Sequence, residues 1–222
     1  MSVKHRGKLV LLMGPSGVGK SVVLKELRKR RPSTSSGQVP LHFPRSATTR
    51  PRRPGERNDL YVFVTDEEFD ALIAHGRLLE WARVHDGARY GTLIEEIVPP
   101  IEEGKVVVRE VDVQGFESIR KHPLFSCHAE RSPERVPRMR NESKDKTKHT
   151  YRLQSIFLLP ESTEQLIAHI AKRAPMGEEE LRRRLESMRK EMAYAELADV
   201  KVVSREGKLA EVVREMERLI AA

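Results

Sequence analysis

The stretch Gly14-Pro-Ser-Gly-Val-Gly-Lys-Ser21 decides the fold of this 222-residue chain. It is preceded by Lys8–Met13, a mostly apolar run that predicts a buried strand. It is followed by Ser21–Arg31, where apolar residues recur on one face of a predicted helix. A loop between a strand and a helix with the spacing G-x-x-x-x-G-K-[ST] predicts a phosphate-binding P-loop.

The residue types of this loop follow from the chemistry of a triphosphate. Glycines let the backbone wrap closely around the β-phosphate, and the helix that begins there adds the positive end of its dipole. Lys20 reaches the phosphate oxygens as a point charge, and Ser21 offers a hydroxyl to Mg²⁺. The predicted ATP-binding residues are Gly14, Pro15, Ser16, Gly17, Val18, Gly19, Lys20 and Ser21. Kinases, GTPases and ATP-driven machines all use such a loop, so the acceptor stays open here.

Length and composition favour one ordinary soluble domain. The content of 38% hydrophobic and 33% charged residues is typical of globular proteins. The apolar run at Leu9–Met13 is too short for a membrane span or a signal peptide. The one cysteine, Cys127, fits a reducing cytosol, so we expect a cytoplasmic protein. The net charge of +8 favours a phosphate-rich partner, either a nucleotide or a nucleic acid.

Predicted strands alternate with predicted helices, which favours an α/β fold with a mainly parallel sheet and helices on both faces. The predicted strands are Lys8–Met13, Tyr61–Val64, Leu78–Val84, Lys105–Val111, Ile156–Leu159 and Val200–Val203. The predicted helices are Ser21–Arg31, Glu178–Glu196 and Leu209–Ile220, together with two that capping boxes open. Thr65 and Glu68 open one that ends near Gly76, and Ser162 and Gln165 open one that runs to about Lys172. The region 61–92 is richer in strands and predicts a small inserted lobe.

The segment 121–152 has a different character. It holds nine Lys or Arg and four Asp or Glu, without a clear period and with few large apolar residues after Phe125. We interpret it as a mobile surface insertion. The alternative is a basic arm for nucleic acid, although we do not expect nucleic acid to be the main partner.

A second group of polar residues indicates the acceptor. Arg50 and Arg53 lie three apart in a proline-stiffened loop, where arginine is suited to bind phosphate through two hydrogen bonds. Glu80 places a carboxylate in an otherwise apolar strand. It could accept from the N1–H and the exocyclic amine of guanine, a donor pair that adenine lacks. The alternatives are a solvated basic loop, a surface charge at Glu80 and a packing role for Tyr90.

Seven stretches in this order resemble the guanylate kinase family over almost the whole chain. They are GPSGVGKS (14–21), SATTRPRRPGE (46–56), YVFVTDEEF (61–69), LLEWARVHDGARYGT (78–92), VREVDVQG (108–115), IFLLPES (156–162) and EELRRRLESMRKEMAYAE (179–196). The resemblance implies an enzyme that transfers a phosphoryl group from ATP to GMP with Mg²⁺. It also implies a P-loop core with an inserted monophosphate-binding lobe and a short helical lid.

The resemblance also implies a role for individual residues. The GMP phosphate would be held by Arg50, Arg53, Tyr61 and Tyr90, and the guanine would be read by Ser46, Glu80 and Thr92. Asp112 would lie near the guanine and the water shell of the metal, while Arg173 and Arg184 would be lid arginines that act with Lys20 in catalysis. Within one domain, the core would comprise 1–44 and 93–222 with a lid at about 172–190, and the GMP lobe would comprise 45–92. Use of dGMP and the oligomeric state stay open.

The chain departs from the family pattern at four places. His169 stands where the family usually has an arginine, and Ser204 where it usually has an asparagine near the adenine. The loop at 58–60 is one residue shorter, and Pro44-Arg45 adds a charge beside the acceptor site. A related domain that binds proteins and has lost catalysis is the other alternative. It ranks low because Lys20 and Ser21 are both present.

Overall fold

A five-stranded parallel sheet forms the centre of the molecule. The computed structural model describes residues 7–30, 39–57, 59–84, 87–125, 150–164, 166–167 and 177–222. The strands are β1 (Lys8–Met13), β2 (Leu41–His42), β3 (Ser46–Thr48), β4 (Tyr61–Phe63), β5 (Leu78–Arg83), β6 (Arg89–Leu93), β7 (Val106–Glu110), β8 (Arg152–Pro160) and β9 (Val200–Ser204). The main sheet has the order β2-β7-β1-β8-β9. All its described pairings are parallel.

Helices cover both faces of the main sheet. The described helices of the chain are α1 (Lys20–Lys29), α2 (Asp66–Ala74), α3 (Val98–Glu102), α4 (Val113–Lys121), α5 (Glu178–Ala193) and α6 (Leu209–Ala221), with 3₁₀ turns at Ile94–Glu96 and Tyr194–Leu197. Of these, α2 packs on the second sheet described below instead. Every residue of β1 is buried. Val10 and Leu12 pack with α1 and α6 in one core, whereas Leu9 and Leu11 pack with α4 in the other. The predicted α/β class is therefore confirmed.

A second sheet forms the small lobe, with the order β4-β3-β6-β5. Helix α2 covers one of its faces, where Phe69 packs with Ala47, Leu78 and Leu93. The predicted capping box opens this helix. The Thr65 hydroxyl accepts from Glu68 N at 3.1 Å, and Thr65 N donates to the Glu68 carboxylate at 2.8 Å. The opposite face of this sheet carries most of the candidate acceptor residues.

An ion pair joins the two ends of the small lobe. Arg45 lies just before β3, where the chain enters the lobe, and Glu96 follows β6, where the chain leaves it. The Arg45 backbone N–H and its Nε donate to the Glu96 carboxylate at 3.1 and 3.0 Å, and Nη2 donates at 2.5 Å. The charge of Arg45, which sequence analysis placed beside the acceptor site, is therefore paired with Glu96 at the boundary of the small lobe.

Local patterns missed several elements that depend on distant partners. The short strands β3 and β6 and the helix α4 were not predicted. The strand predicted at 156–159 was too short, because β8 begins at Arg152. Its first residues include Arg152, Gln154 and Ser155, which hide the strand from a hydropathy pattern, yet all three pair with β1. No described helix is long and apolar enough to cross a bilayer.

The flanks of the basic segment meet on the main core. Tyr151 N donates to Leu124 O at 2.8 Å, and the rings of Phe125 and Tyr151 lie 6.2 Å apart between centroids. Residues 126–149, which make up most of the predicted insertion, lie outside the described residues. The chain therefore leaves and rejoins the core at nearly the same point.

Candidate active site

The P-loop follows β1 with a backbone that only glycine adopts easily. Gly14 and Gly19 have φ values of 143° and 101°. A Cβ at position 14 would lie 2.5 Å from the carbonyl oxygen of Leu158, so a side chain does not fit there. Gly19 is the N-cap of α1 and provides no side-chain cap. No side-chain cap covers the N-terminus of this 10-residue helix in the described part of the chain, so the positive end of its dipole faces the cradle, as an anion site requires.

Lys20 and Ser21 meet an acidic residue at the end of the neighbouring strand. The Lys20 ammonium donates to Gly14 O at 2.6 Å and Pro15 O at 3.3 Å, and it lies 3.8 Å from Glu110 Oε1. The Ser21 hydroxyl donates to Glu110 Oε2 at 3.3 Å. Sequence analysis missed Glu110. Its position was a signal in the sequence, because Glu110 is a charged residue that ends a strand beginning with the buried run Val106–Val108.

The long helix α5 supplies a carboxylate to the cradle. Ser16 N donates to Glu191 Oε2 at 3.0 Å, and Ser187 holds the other carboxylate oxygen at 3.0 Å. A P-loop N–H thus binds an anionic group of the protein itself, which illustrates the affinity of this backbone for negative charge. Arg184, a predicted lid residue, lies exposed on the same helix. The other predicted lid arginine, Arg173, lies outside the described residues, as does His169, which departs from the family pattern.

The register of the small sheet gathers the candidate acceptor residues on one face, which we call the acceptor face. Ser46 lies opposite Thr92 on β6 and opposite Tyr61 on β4. Thr48 lies opposite Tyr90. Because side chains at paired and alternate positions point to the same side of a sheet, these hydroxyl-bearing residues share the face opposite α2.

A bulge in β5 turns Glu80 onto the acceptor face. Leu78 pairs with Leu93 and Trp81 pairs with Gly91, so one extra residue lies between them. The bulge allows Leu78 to face the lobe core while Glu80 faces Thr92. The Thr92 hydroxyl donates to Glu80 Oε1, and only 14% of the Glu80 side chain is exposed. The prediction that Glu80 is more than a surface charge has this burial in its favour.

The arginine loop is organised by an acidic residue of its own. The Arg50 guanidinium donates to both Glu56 carboxylate oxygens at 3.0 and 2.7 Å, and its Cζ lies 5.3 Å from the centroid of the Tyr61 ring. Arg50 lowers the pKa of Glu56 to about 2, with help from the Arg53 N–H. Glu56, followed by Tyr90, raises the pKa of Arg50. The Tyr61 and Tyr90 rings meet edge to face at 5.9 Å, whereas Arg53 is exposed.

Asp112 lies between the main sheet and α4. Its carboxylate accepts from Gly115 N at 2.7 Å and so caps α4. The strand predicted at Lys105–Val111 would run up to Asp112, but β7 already ends at Glu110. A second residue that sequence analysis missed lies one position before that end. Arg109 donates to Ser46 Oγ at 3.1 Å, and its Nη2 lies 3.4 Å from Glu80 Oε1.

Cavities flank the P-loop on either side of α1. One of about 410 Å³ runs from the cradle to the acceptor face, and its walls include Ser21, Arg28, Ser46, Tyr61, Arg109 and Glu110. Another of about 390 Å³ lies between α1 and α6, and its walls include Gly19, Val22, Pro160, Ser204 and Arg205. A third of about 240 Å³ lies over Lys20, Glu110 and Asp112. The cradle therefore lies between two spaces that can each hold part of a nucleotide.

Comparison with known proteins agrees with this arrangement. The family model described as guanylate kinase matches residues 6–152. A guanylate kinase from Thermobifida fusca is 38% identical over 216 residues, which covers 97% of this chain and 91% of that protein. One from Nocardia farcinica is also 38% identical, over 208 residues that cover 92% of this chain and 90% of that protein.

A solved structure shows the same fold. The crystal structure of guanylate kinase from Anaplasma phagocytophilum matches with a TM-score of 0.59 and 21% identity, covering 97% of this chain and 85% of that one. At 21% identity this likeness shows the fold alone, whereas the sequence matches at 38% identity show the family. These sequence matches, together with the P-loop and the acceptor face, show that the chain belongs to the guanylate kinase family.

Proposed function

We propose that this protein transfers the γ-phosphoryl group of ATP to GMP and releases ADP and GDP. The observation that carries the proposal is the 410 Å³ cavity, because the P-loop hydroxyl of Ser21 and the acceptor-face residues Ser46 and Tyr61 line the same space. A donor phosphate in the cradle and an acceptor on that face would therefore approach each other without crossing the protein. Phosphoryl transfer depends mainly on such positioning and on nearby cations.

On the donor side, the P-loop N–H groups would hold the β-phosphate and Lys20 would contact the β- and γ-phosphate oxygens. The adenine would enter the cavity between α1 and α6, beside Ser204 and Arg205. Ser204 offers a hydroxyl to the base. Val22 and Leu209, which form apolar walls of this cavity, would cover the faces of the adenine ring.

Ser21 and Glu110 suit Mg²⁺, since a hydroxyl and a carboxylate are hard oxygen ligands. Their oxygens lie 3.3 Å apart at the rim of the cradle, and Lys20 lies close enough to share the same phosphates. Mg²⁺ would neutralise charge on the β- and γ-phosphates. Ser21 and Glu110 would hold the metal, and Asp112 lies on the wall of the same cavity as Glu110.

On the acceptor side, Arg50, Arg53, Tyr61 and Tyr90 would hold the GMP phosphate. The Glu56 carboxylate already binds Arg50 through two hydrogen bonds, so the guanidinium is presented to the acceptor in a fixed orientation. Ser46, Glu80 and Thr92 would read the guanine. Glu80 would accept from N1–H and the 2-amino group, a donor pair that adenine, cytosine and uracil do not offer in this geometry.

The lid would complete the site with Arg173 and Arg184, whose charges would stabilise the transferring phosphoryl group. Closure would exclude water and so limit ATP hydrolysis. We retain the division of the chain into a core of 1–44 and 93–222, a lid at about 172–190 and a GMP lobe of 45–92. A cytoplasmic location follows from the substrates that we propose.

A coupled assay of ADP release tests the proposal. With ATP and Mg²⁺, we expect GMP to be phosphorylated at least about 100-fold more efficiently than AMP, CMP or UMP, judged by kcat/KM. The control is the same assay without an acceptor, which reports ATP hydrolysis alone. Equal efficiency with AMP would refute the assignment of guanine to Glu80, and ADP release that needs no acceptor would refute the transfer.

A further inference from the structure

Arg109 crosses from the main sheet to the small lobe. It follows Val106–Val108, three buried residues of β7, and its own side chain is only 12% exposed. Its Nη1 donates to the Ser46 hydroxyl at 3.1 Å and its Nη2 to the Glu80 carboxylate at 3.4 Å. One guanidinium therefore contacts two of the three residues that we assign to guanine recognition, and it does so from a different sheet.

Burial of the Arg109 guanidinium removes it from water, which costs free energy. Burial lowers the pKa of Arg109, and the Glu80 carboxylate opposes that effect. Its Nε is buried without a hydrogen-bond partner in the described part of the chain. Replacement of a buried ion pair by apolar residues of similar size is often neutral or stabilising. Stability alone therefore gives little reason for a charge at this point of β7, and the neighbouring site gives a better one.

The contacts fix Glu80 through one oxygen. Thr92 and Arg109 both donate to Oε1, and no described protein group donates to Oε2. A carboxylate has about four acceptor positions, so two remain for a ligand. A carboxylate that is held on one side by a donor fork loses its rotational freedom before the ligand binds, which lowers the cost of recognition.

We propose that Arg109, which also contacts Ser46, is a positioning residue for guanine selection that holds the Glu80 carboxylate in the orientation that accepts a purine carrying both an N1–H and a 2-amino group. The inference rests on the proposed acceptor. It adds a residue of the main sheet to a recognition surface that otherwise belongs to the small lobe. Loss of the guanidinium would free Glu80 to rotate and would leave its mostly buried carboxylate beside Thr92 without a cation.

The test compares GMP with IMP, which lacks only the 2-amino group. In Arg109→Leu we expect the dissociation constant of GMP, measured by calorimetry, to rise at least about tenfold, while that of IMP rises no more than about threefold. KM for GMP should follow, whereas kcat and KM for ATP should stay within about threefold. Arg109→Lys keeps the charge without the planar fork and should fall between parent and Leu. It also carries the test if the Leu variant fails to fold.

The matched control is Arg77→Leu. Arg77 directly precedes β5 of the small sheet and pairs with Glu95, but its side chain is 54% exposed, so the ratio of GMP to IMP affinity should not change. A double-mutant cycle isolates the route of the effect. If Arg109 acts through Glu80, then Arg109→Leu added to Glu80→Gln should change GMP affinity less than twofold.

Four results would overturn the inference, and two of them concern the affinity ratio and the cycle. One is an unchanged ratio of GMP to IMP affinity in Arg109→Leu or, where only the Lys variant folds, in Arg109→Lys. The other is an additive effect in the cycle, which would mean that Arg109 does not act through Glu80. A parent protein that binds no GMP would refute both this inference and the proposed acceptor. A parent that binds GMP and a variant that binds it equally well would refute the inference alone.

Discussion

At the scale of single residues, Lys20 is the cation that the donor phosphates would meet first. Two carbonyl oxygens of its own loop hold its ammonium, at 2.6 and 3.3 Å, so the charge is already directed across the cradle. We expect Lys20→Met to lower kcat by a factor of about 100 or more, the usual loss when one transition-state donor is removed. Lys25→Met, on the exposed side of the same helix, is the charge-matched control. An unchanged rate for Lys20→Met would show that the loop is not catalytic.

The stabilising effect of Glu56 should depend on pH. Arg50 lowers its folded-state pKa from 4.5 to about 2, so the folded protein favours the ionised form. Stabilisation by a carboxylate with a lowered pKa is complete above the unfolded pKa and is lost as the pH falls through the folded pKa. The difference in the free energy of unfolding between parent and Glu56→Gln should therefore be constant from pH 7 to 5 and shrink steadily below 4.5. Urea titrations at pH 7, 5, 4 and 3 measure it, and a difference that persists unchanged at pH 3 would contradict this assignment.

At the scale of elements, α2 supports the acceptor face from behind through Phe69. Its start depends on the reciprocal hydrogen bonds of Thr65 and Glu68. Thr65→Ala should lower the free energy of unfolding by about 1 kcal/mol, the usual loss for an N-cap. Thr65→Ser retains the hydroxyl and should lose much less. Chemical unfolding of both variants provides the measurement, and equal losses would mean that packing of the Thr65 methyl group matters more than the cap.

The elements also show what the sequence could and could not predict. The strand β1, the P-loop and α2 were predicted correctly because apolar periodicity, glycine spacing and a capping box are local signals. Ser46–Thr48 is a three-residue strand that exists only because β4 and β6 pair with it on both sides. The bulge that aims Glu80 likewise depends on the register with β6.

Arg109 escaped prediction for the same reason. Its contacts reach Ser46 and Glu80, 63 and 29 positions away along the chain, and no spacing rule connects them. A signal was nonetheless present, since a charged residue after three valines of a buried parallel strand is unusual. A charge at such a position indicates a nearby partner without naming it.

At the scale of the whole molecule, the meeting of Leu124 with Tyr151 allows the basic segment to be shortened. Deletion of 130–148 leaves a short connection between flanks that already share a hydrogen bond. Each halving of a loop lowers the entropic cost of closing it by about 0.6 kcal/mol. We therefore expect the shortened protein to be more stable by about 1 kcal/mol, with kcat/KM for GMP within about twofold of the parent. Thermal unfolding and the coupled assay measure both quantities, and a loss of stability would show that the segment contributes packing to the core.

The Arg45–Glu96 pair at the ends of the small lobe has a consequence for protein engineering. Because Arg45 and Glu96 pair where the chain enters and leaves the lobe, the two junctions lie side by side, and we expect the lobe to be exchangeable as a unit. A lobe from a kinase with another acceptor could be joined there without altering the donor half. Arg109 sets the compatibility rule for such a chimera. Arg109 belongs to the main sheet, which also carries the P-loop, and would remain there after the exchange. The incoming lobe must therefore supply a carboxylate that pairs with Arg109, or Arg109 must be replaced by an uncharged residue.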